Sequence, residues 1–203
     1  MKKYAVLHEP GDIVTLAGTR FVVLDVERRG SLPDSLFLLA LESVGASEFG
    51  SSNNYAESDL KKAVDKWLED MGKRGLDNAK LIPREIDLTT LDGSGCYGKL
   101  SVKAAPLTLD EAREYADIIP NAERWCWLAT GWSGPSKSDG DLALYVSSNG
   151  DWLNRYCSGS YGIRPALKIP SDLLLDSADK PDLSEVPTDT LLEEIRRRVV
   201  DKA

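Results

Sequence analysis

Histidine and cysteine, the side chains that most often build metal and nucleophilic sites, are scarce in this chain. Its 203 residues include one histidine, His8, and three cysteines, Cys96, Cys126 and Cys157. One histidine cannot build a multi-histidine zinc or iron site. A Ser-His-Asp arrangement would have to use His8, which lies in an N-terminal segment with no nucleophile motif nearby. His8 therefore reads as an ordinary surface or edge-strand residue. The cysteines are odd in number and lack C-x-x-C spacing, so they read as reduced, partly buried thiols rather than a disulfide framework. The glycine-rich run Asp92-Gly-Ser-Gly-Cys-Tyr-Gly98 lacks the Lys-Ser or Lys-Thr of a phosphate loop, which argues against a nucleotide cradle. No metal or redox cofactor is expected, and no enzymatic activity.

Recognition chemistry is better represented. The stretch from Trp125 to Ile169 holds four of the five tryptophans and three of the seven tyrosines. Short polar residues separate them. Candidate ligand contacts are Trp132, Ser136, Lys137, Asp139 and Asp141 in and before one polar loop. Trp152, Asn154, Arg155 and Tyr156 follow, then Ser158, Ser160 and Tyr161. Aromatics offer large contact area at low rotamer cost, and serine, glycine and asparagine offer adaptable hydrogen bonds. Trp127, Leu128, Leu142, Leu144 and Val146 read as core, and Trp125 with them. For Trp132, Trp152, Tyr156 and Tyr161, burial and exposure are equally compatible with residue type.

The elements that must hold these residues are legible in outline. Ser148-Asn-Gly-Asp151 lies between Leu142–Val146 and Trp152–Tyr156, which predicts a hairpin whose two central residues take positive φ. Ile13–Leu16 and Phe21–Val26 predict a second hairpin. The apolar run Leu36–Leu41 predicts a central strand covered on both faces. Leu60, Ala63, Val64, Trp67, Leu68 and Met71 fall on one helical stripe, entered through Asn54 with Glu57 or through Ser58. Asn53 and Asn54 read as cap and turn residues before ligand contacts. Thr108-Leu-Asp-Glu111 is a capping box for a second helix running to about Ile118, ended by Pro120. Leu81 to Leu88 reads as a short connecting strand or loop.

Charge and composition bound the partners. The net charge of −8 argues against general nucleic-acid or anionic-membrane binding. Nothing approaches the ~20 apolar residues of a membrane span, and no signal-like segment stands at the start. These features imply synthesis in the cytoplasm.

Several of these segments together resemble a lectin-like domain family of unknown function found in bacterial and prophage proteins. The resemblance rests on the Trp-x-Leu run, the Tyr145-Val-x-x-x-Gly150 hairpin and the closing Gly162-Ile-Arg-Pro-Ala-Leu167. The opening Pro10-Gly-Asp-Ile-Val14 and the helix with its Trp67-Leu68 pair also match. That family is related to the C-type-lectin-like fold of formylglycine-generating enzymes and of the variable proteins of diversity-generating retroelements. The resemblance implies an α+β fold over residues 1–169, with two helices on twisted antiparallel strands and a loop-rich C-terminal half. It implies a protein or glycan ligand on another cell or particle, with a virion as one setting. Trp125 to Leu167 has the size and composition of a diversified cassette. The enzyme relatives use cysteine or histidine motifs that Cys126, Cys157 and His8 do not reproduce. Arg164 reads as a structural arginine pairing with a buried acid. Asp139, Asp141, Asn149, Asp151 and Asn154 are oxygen ligands within a short span. However, Asp151-Trp-Leu-Asn154 departs from the Trp-Asn-Asp order of calcium-binding lectins, and turn formation accounts for Asn149 and Asp151.

Residues 170–187 are rich in aspartate and read as a solvated linker. Residues 188–203 read as an amphipathic helix opened by Thr190-Leu-Leu-Glu193. Its stripe of Leu191, Leu192, Ile195 and Val199 must dock on the domain or on another copy, and a structural assembly component with this helix as its contact is an alternative to ligand binding.

Overall fold

The structure, a computed structural model, describes residues 2–4, 8–29 and 32–177. The expected helix over 188–203 lies outside the described residues. In chain order the strands are β1 (Lys2–Tyr4), β2 (Ile13–Leu16), β3 (Thr19–Arg29), β4 (Leu32–Ala40) and β5 (Ala46–Glu48). Helix α1 (Asp59–Lys73) follows, then β6 (Arg84–Asp87), β7 (Lys99–Val102), β8 (Ala104–Ala105) and helix α2 (Leu109–Glu114). The C-terminal half contributes β9 (Cys126–Gly131), β10 (Leu142–Val146), β11 (Trp152–Tyr156), β12 (Ser160–Gly162), β13 (Ala166–Pro170) and β14 (Leu174–Ser177). The protein is thus α+β, with two helices on mostly antiparallel sheets.

A seven-stranded sheet runs in the order β1-β14-β2-β3-β4-β13-β8, and a five-stranded sheet in the order β11-β10-β9-β12-β5. Strands β6 and β7 form a separate ribbon. Alternation along β3 and β4 explains why both faces of the larger sheet are covered. Phe21, Val23, Leu36 and Leu38 face the main core with Leu60, Val64 and Met71 of α1. Val22, Leu24, Phe37 and Leu39 face a second core with Leu109 and Ala112 of α2. The apolar run at Leu36 is therefore the doubly covered central strand that its sequence predicts. The smaller sheet enters both cores as well, through Trp127, Ala129 and Tyr145 on one side and Leu128 and Leu144 on the other.

The caps form as their sequences require. Asn54 Oδ1 accepts from the Ala56 amide and caps a 3₁₀ turn at Tyr55–Glu57, while Ser58 Oγ accepts from Lys61 N to cap α1. Thr108 and Glu111 bond each other's backbone amides in a complete capping box. Helix α2 is shorter than its sequence predicts. It ends regularly at Glu114, and the chain continues in turns to Ile119.

Three expectations are corrected. Leu174–Ser177 is a strand between β1 and β2, so the domain runs past 169 and the linker cannot begin at 170. The pairing needs only main-chain groups, which an aspartate-rich composition does not reveal. The β10–β11 turn has positive φ at Gly150 alone, not at Asn149 as well. There Ser147 O accepts from Gly150 N, and Ser147 Oγ accepts from Asn149 N and Asp151 N. The loop is therefore longer than two residues and held by a serine side chain. Finally, the polar segment at Cys157–Tyr161 is not all loop, because β12 pairs antiparallel with β5 and parallel with β9.

Candidate aromatic binding face

Register decides which candidate residues can act together. In the β10–β11 hairpin, Leu142 faces Tyr156, Leu144 faces Asn154 and Val146 faces Trp152. Ala143 faces Arg155 and Tyr145 faces Leu153 on the opposite side of the sheet. Because side chains alternate with period two, Trp152, Asn154 and Tyr156 share one face, and Leu153 and Arg155 share the other. The candidates Trp152, Arg155, Tyr156 and Tyr161 thus do not form one surface.

On the Arg155 side the rings build a continuous column. Tyr55 meets Phe49 at 6.4 Å between centroids, and Phe49 meets Trp127 edge-on at 5.5 Å. Trp127 meets Tyr161 at 4.7 Å, and Tyr161 stacks on Tyr145 at 5.3 Å. Trp125 then stacks on Tyr145 at 5.3 Å and tilts against Tyr161 at 5.7 Å. The column starts at fully buried Tyr55, where burial pushes the phenol pKa well above its usual value. It ends at Trp125, which is 38 % exposed and has the Arg155 guanidinium 6.0 Å from its ring centroid. Trp125 is therefore not the core residue that its sequence suggests. Trp127 is, with its Nε1 donating to Ser47 O at 2.9 Å. Gly162 carries Tyr161 to this place, and a Cβ there would meet Cys126 Sγ and Ser43 Oγ at 2.8 Å.

Two open grooves flank the exposed end of the column. One, of about 390 Å³, is lined by Glu123, Arg124, Trp125, Ser148, Ser160 and Tyr161. The other, of about 330 Å³, wraps the β11 edge and is lined by Trp132, Tyr145, Trp152, Leu153, Asn154 and Arg155. Aromatic walls with a few polar side chains are the usual make-up of a ligand site. Across the sheet, Trp152 is 40 % exposed with Arg113 of α2 5.7 Å from its ring centroid, and Tyr156 is 63 % exposed. Trp132 is half-buried against the second core, and Leu142 and Val146 are half-buried rather than core.

The remaining candidates are elsewhere. Ser136, Lys137, Asp139 and Asp141 are exposed and line neither groove, nor does exposed Ser158. Their loop is held by a residue set apart in the sequence. Asn53, 1 % exposed, donates from Nδ2 to Ser133 O at 2.8 Å and Leu142 O at 3.0 Å, and its Oδ1 accepts from Tyr97 at 2.6 Å. Lys137 pairs with Asp92 of the glycine-rich loop. Asn53 is thus neither cap nor exposed ligand contact. The sequence signal for Asn53 was an asparagine beside a helix start, which looks the same for any of these roles.

Reactive chemistry is scarce at this face. All three cysteines are free, with Cys96 exposed. Burial pushes the Cys126 thiol up to about 11 and the Cys157 thiol up to about 12, so both are neutral and weakly nucleophilic. His8 is buried, contrary to its surface reading, with Nδ1 3.3 Å from Asp12 Oδ2. Among the described residues no group of three or more His, Cys, Asp or Glu is placed to hold a metal ion. Among the described residues no helix is long and apolar enough to cross a membrane. Comparison with family models, curated proteins and solved structures finds no match to this chain.

Proposed function

We propose that this chain is a non-catalytic recognition module. It binds a protein or glycan on another cell or particle through the exposed end of its aromatic column. The observation that carries the reading is Trp125, a large aromatic left 38 % exposed while its ring is braced by Tyr145 and Tyr161. A side chain already ordered loses little entropy on binding, and Trp, Tyr and Arg dominate binding energy at such surfaces. The polar rims of both grooves add hydrogen-bonding groups. Neutral buried thiols support a binding role over a thiol-dependent enzyme.

Within this proposal the fold is of the C-type-lectin-like type, and Trp125 to Leu167 is a retroelement-diversified segment of phage or bacterial origin. The order of strands, helices and loop-rich C-terminal strands supports the first part. Aromatics and short polar residues on β10–β12 support the second. The recognition reading is tested by screening wild type and Trp125→Ala against immobilised glycans and displayed peptides. Loss of the same binders in the variant supports it, and an unchanged binding profile contradicts it. The class of the lost binders separates a glycan from a protein ligand.

A further inference from the structure

On the opposite face of the small sheet, α2 and the turns after it cover a cavity of about 90 Å³. Its walls are mostly apolar, including Leu39, Leu107, Ala112, Ile119, Leu128 and Val146. Exposed Asn121 and Trp152 mark where it meets solvent, whereas Cys126 and Arg164 lie at its buried side.

Arg164 is the anomaly. It is 7 % exposed and donates from Nε to the Ala40 carbonyl at 2.7 Å. Its Nη2 is buried with no hydrogen-bond partner. No described carboxylate pairs with it, contrary to the buried acid that its sequence setting predicts, and burial lowers its pKa. Cys126 offers no compensation, since burial keeps its thiol protonated. A guanidinium holds its charge at neutral pH under almost all conditions, and an uncompensated buried charge is costly. The protein therefore holds a buried cation with no paired carboxylate at the wall of a mostly apolar chamber.

We propose that this cavity binds a small aliphatic carboxylate, with the carboxylate on Arg164 and the chain against the apolar wall. A charge-assisted bond from the guanidinium to a carboxylate offsets the buried charge. Size limits the chain. A volume of about 90 Å³ corresponds to about three waters and is smaller than the ~150 Å³ that admits benzene. Acetate, propionate and butyrate fit this class. The cavity shares Trp152 with the groove at the β11 edge, but Arg164 lines only the cavity.

The test uses the full chain, titrated calorimetrically with sodium propionate at constant ionic strength. Propanol and propylamine are the uncharged and cationic controls. Saturable binding of propionate alone is expected. Arg164→Met and Ala116→Trp, the latter an exposed position on the cavity lining, should each weaken it about tenfold or more. If Arg164→Met fails to fold, Ala116→Trp decides. Absence of saturable propionate binding to wild type overturns the proposal. Equal binding of propanol does so too, as does unchanged affinity in Ala116→Trp together with any folded Arg164→Met.

Discussion

Trp125 stacks on Tyr145 with centroids 5.3 Å apart and planes 26° from parallel, although the first is 38 % exposed and the second 2 %. One ring of the pair belongs to the core and the other to the surface. Two residues along β9's direction, Trp127 has the reverse fate, 1 % exposed and donating to Ser47 O. On the proposed reading, the two tryptophans separate stability from recognition. Trp127→Ala should cost about 3–5 kcal/mol, whereas Trp125→Ala, which breaks two aromatic contacts at a partly exposed site, should cost about 1–2 kcal/mol. Urea denaturation of both variants checks this, and equal costs would mean that Trp125 is structural.

Asn53 joins the first half of the chain to the loop after β9. Asn53→Ala leaves the Ser133 carbonyl and the Tyr97 hydroxyl without a bond that each makes now. Unsatisfied buried groups cost about 1–3 kcal/mol each, so a total loss of about 2–4 kcal/mol is expected by urea denaturation. Asn53→Asp should also destabilise, since it replaces a two-bond donor with an acceptor facing two carbonyls.

The thiols give a prediction independent of any ligand. With Cys96 exposed and Cys126 and Cys157 buried, a disulfide reagent at pH 8 should modify one thiol rapidly in the native protein. In denaturant it should modify all three cysteines. Rapid native reaction at Cys126 or Cys157 would contradict their burial and raised pKa values.

Much of this fold is legible in the sequence because local rules and burial agree. The Leu60–Met71 stripe, the Thr108–Glu111 box and the Leu36 run each satisfy one face or one cap with residues close in sequence. The candidate site was legible only in composition. Whether Trp125 or Trp127 turns inward depends on the pairing of Tyr145 with Trp127, a contact between strands with no local signature. The division of Trp152 from Arg155 follows simple alternation. It could have been read once β11 was recognised as an edge strand, covered on neither face by its own sheet. Strand β14 and the pairing of β12 with β5 left no mark, because main-chain hydrogen bonds accept almost any side chain. The tie from Asn53 to Ser133 spans 80 residues, beyond any local pattern.

Asp92 links the glycine-rich loop to the loop carrying Ser136, Lys137 and Asp139. The Lys137 ammonium, then the Thr90 hydroxyl, hold its carboxyl well below the usual range. A carboxyl depressed on folding stabilises fully above its unfolded value of about 4 and loses that contribution as pH falls toward its folded value. The fall in melting temperature between pH 7 and pH 3 should therefore be smaller in Asp92→Asn than in wild type. The difference should shrink in high salt, since the pair is solvent-screened. An identical fall in both proteins would show that the link contributes nothing.

In the proposed function, Trp125 is a binding residue held ready by Tyr145 and Tyr161. The most direct measurement is the affinity of Trp125→Ala for a glycan or peptide selected by the wild-type protein, with the melting temperature of the same sample. A truncated hot-spot aromatic is worth about 2 kcal/mol or more, so affinity should fall at least about tenfold. The melting temperature should move by about 8 °C or less. Unchanged affinity, or a loss of affinity accompanied by a collapse in melting temperature, would contradict the account.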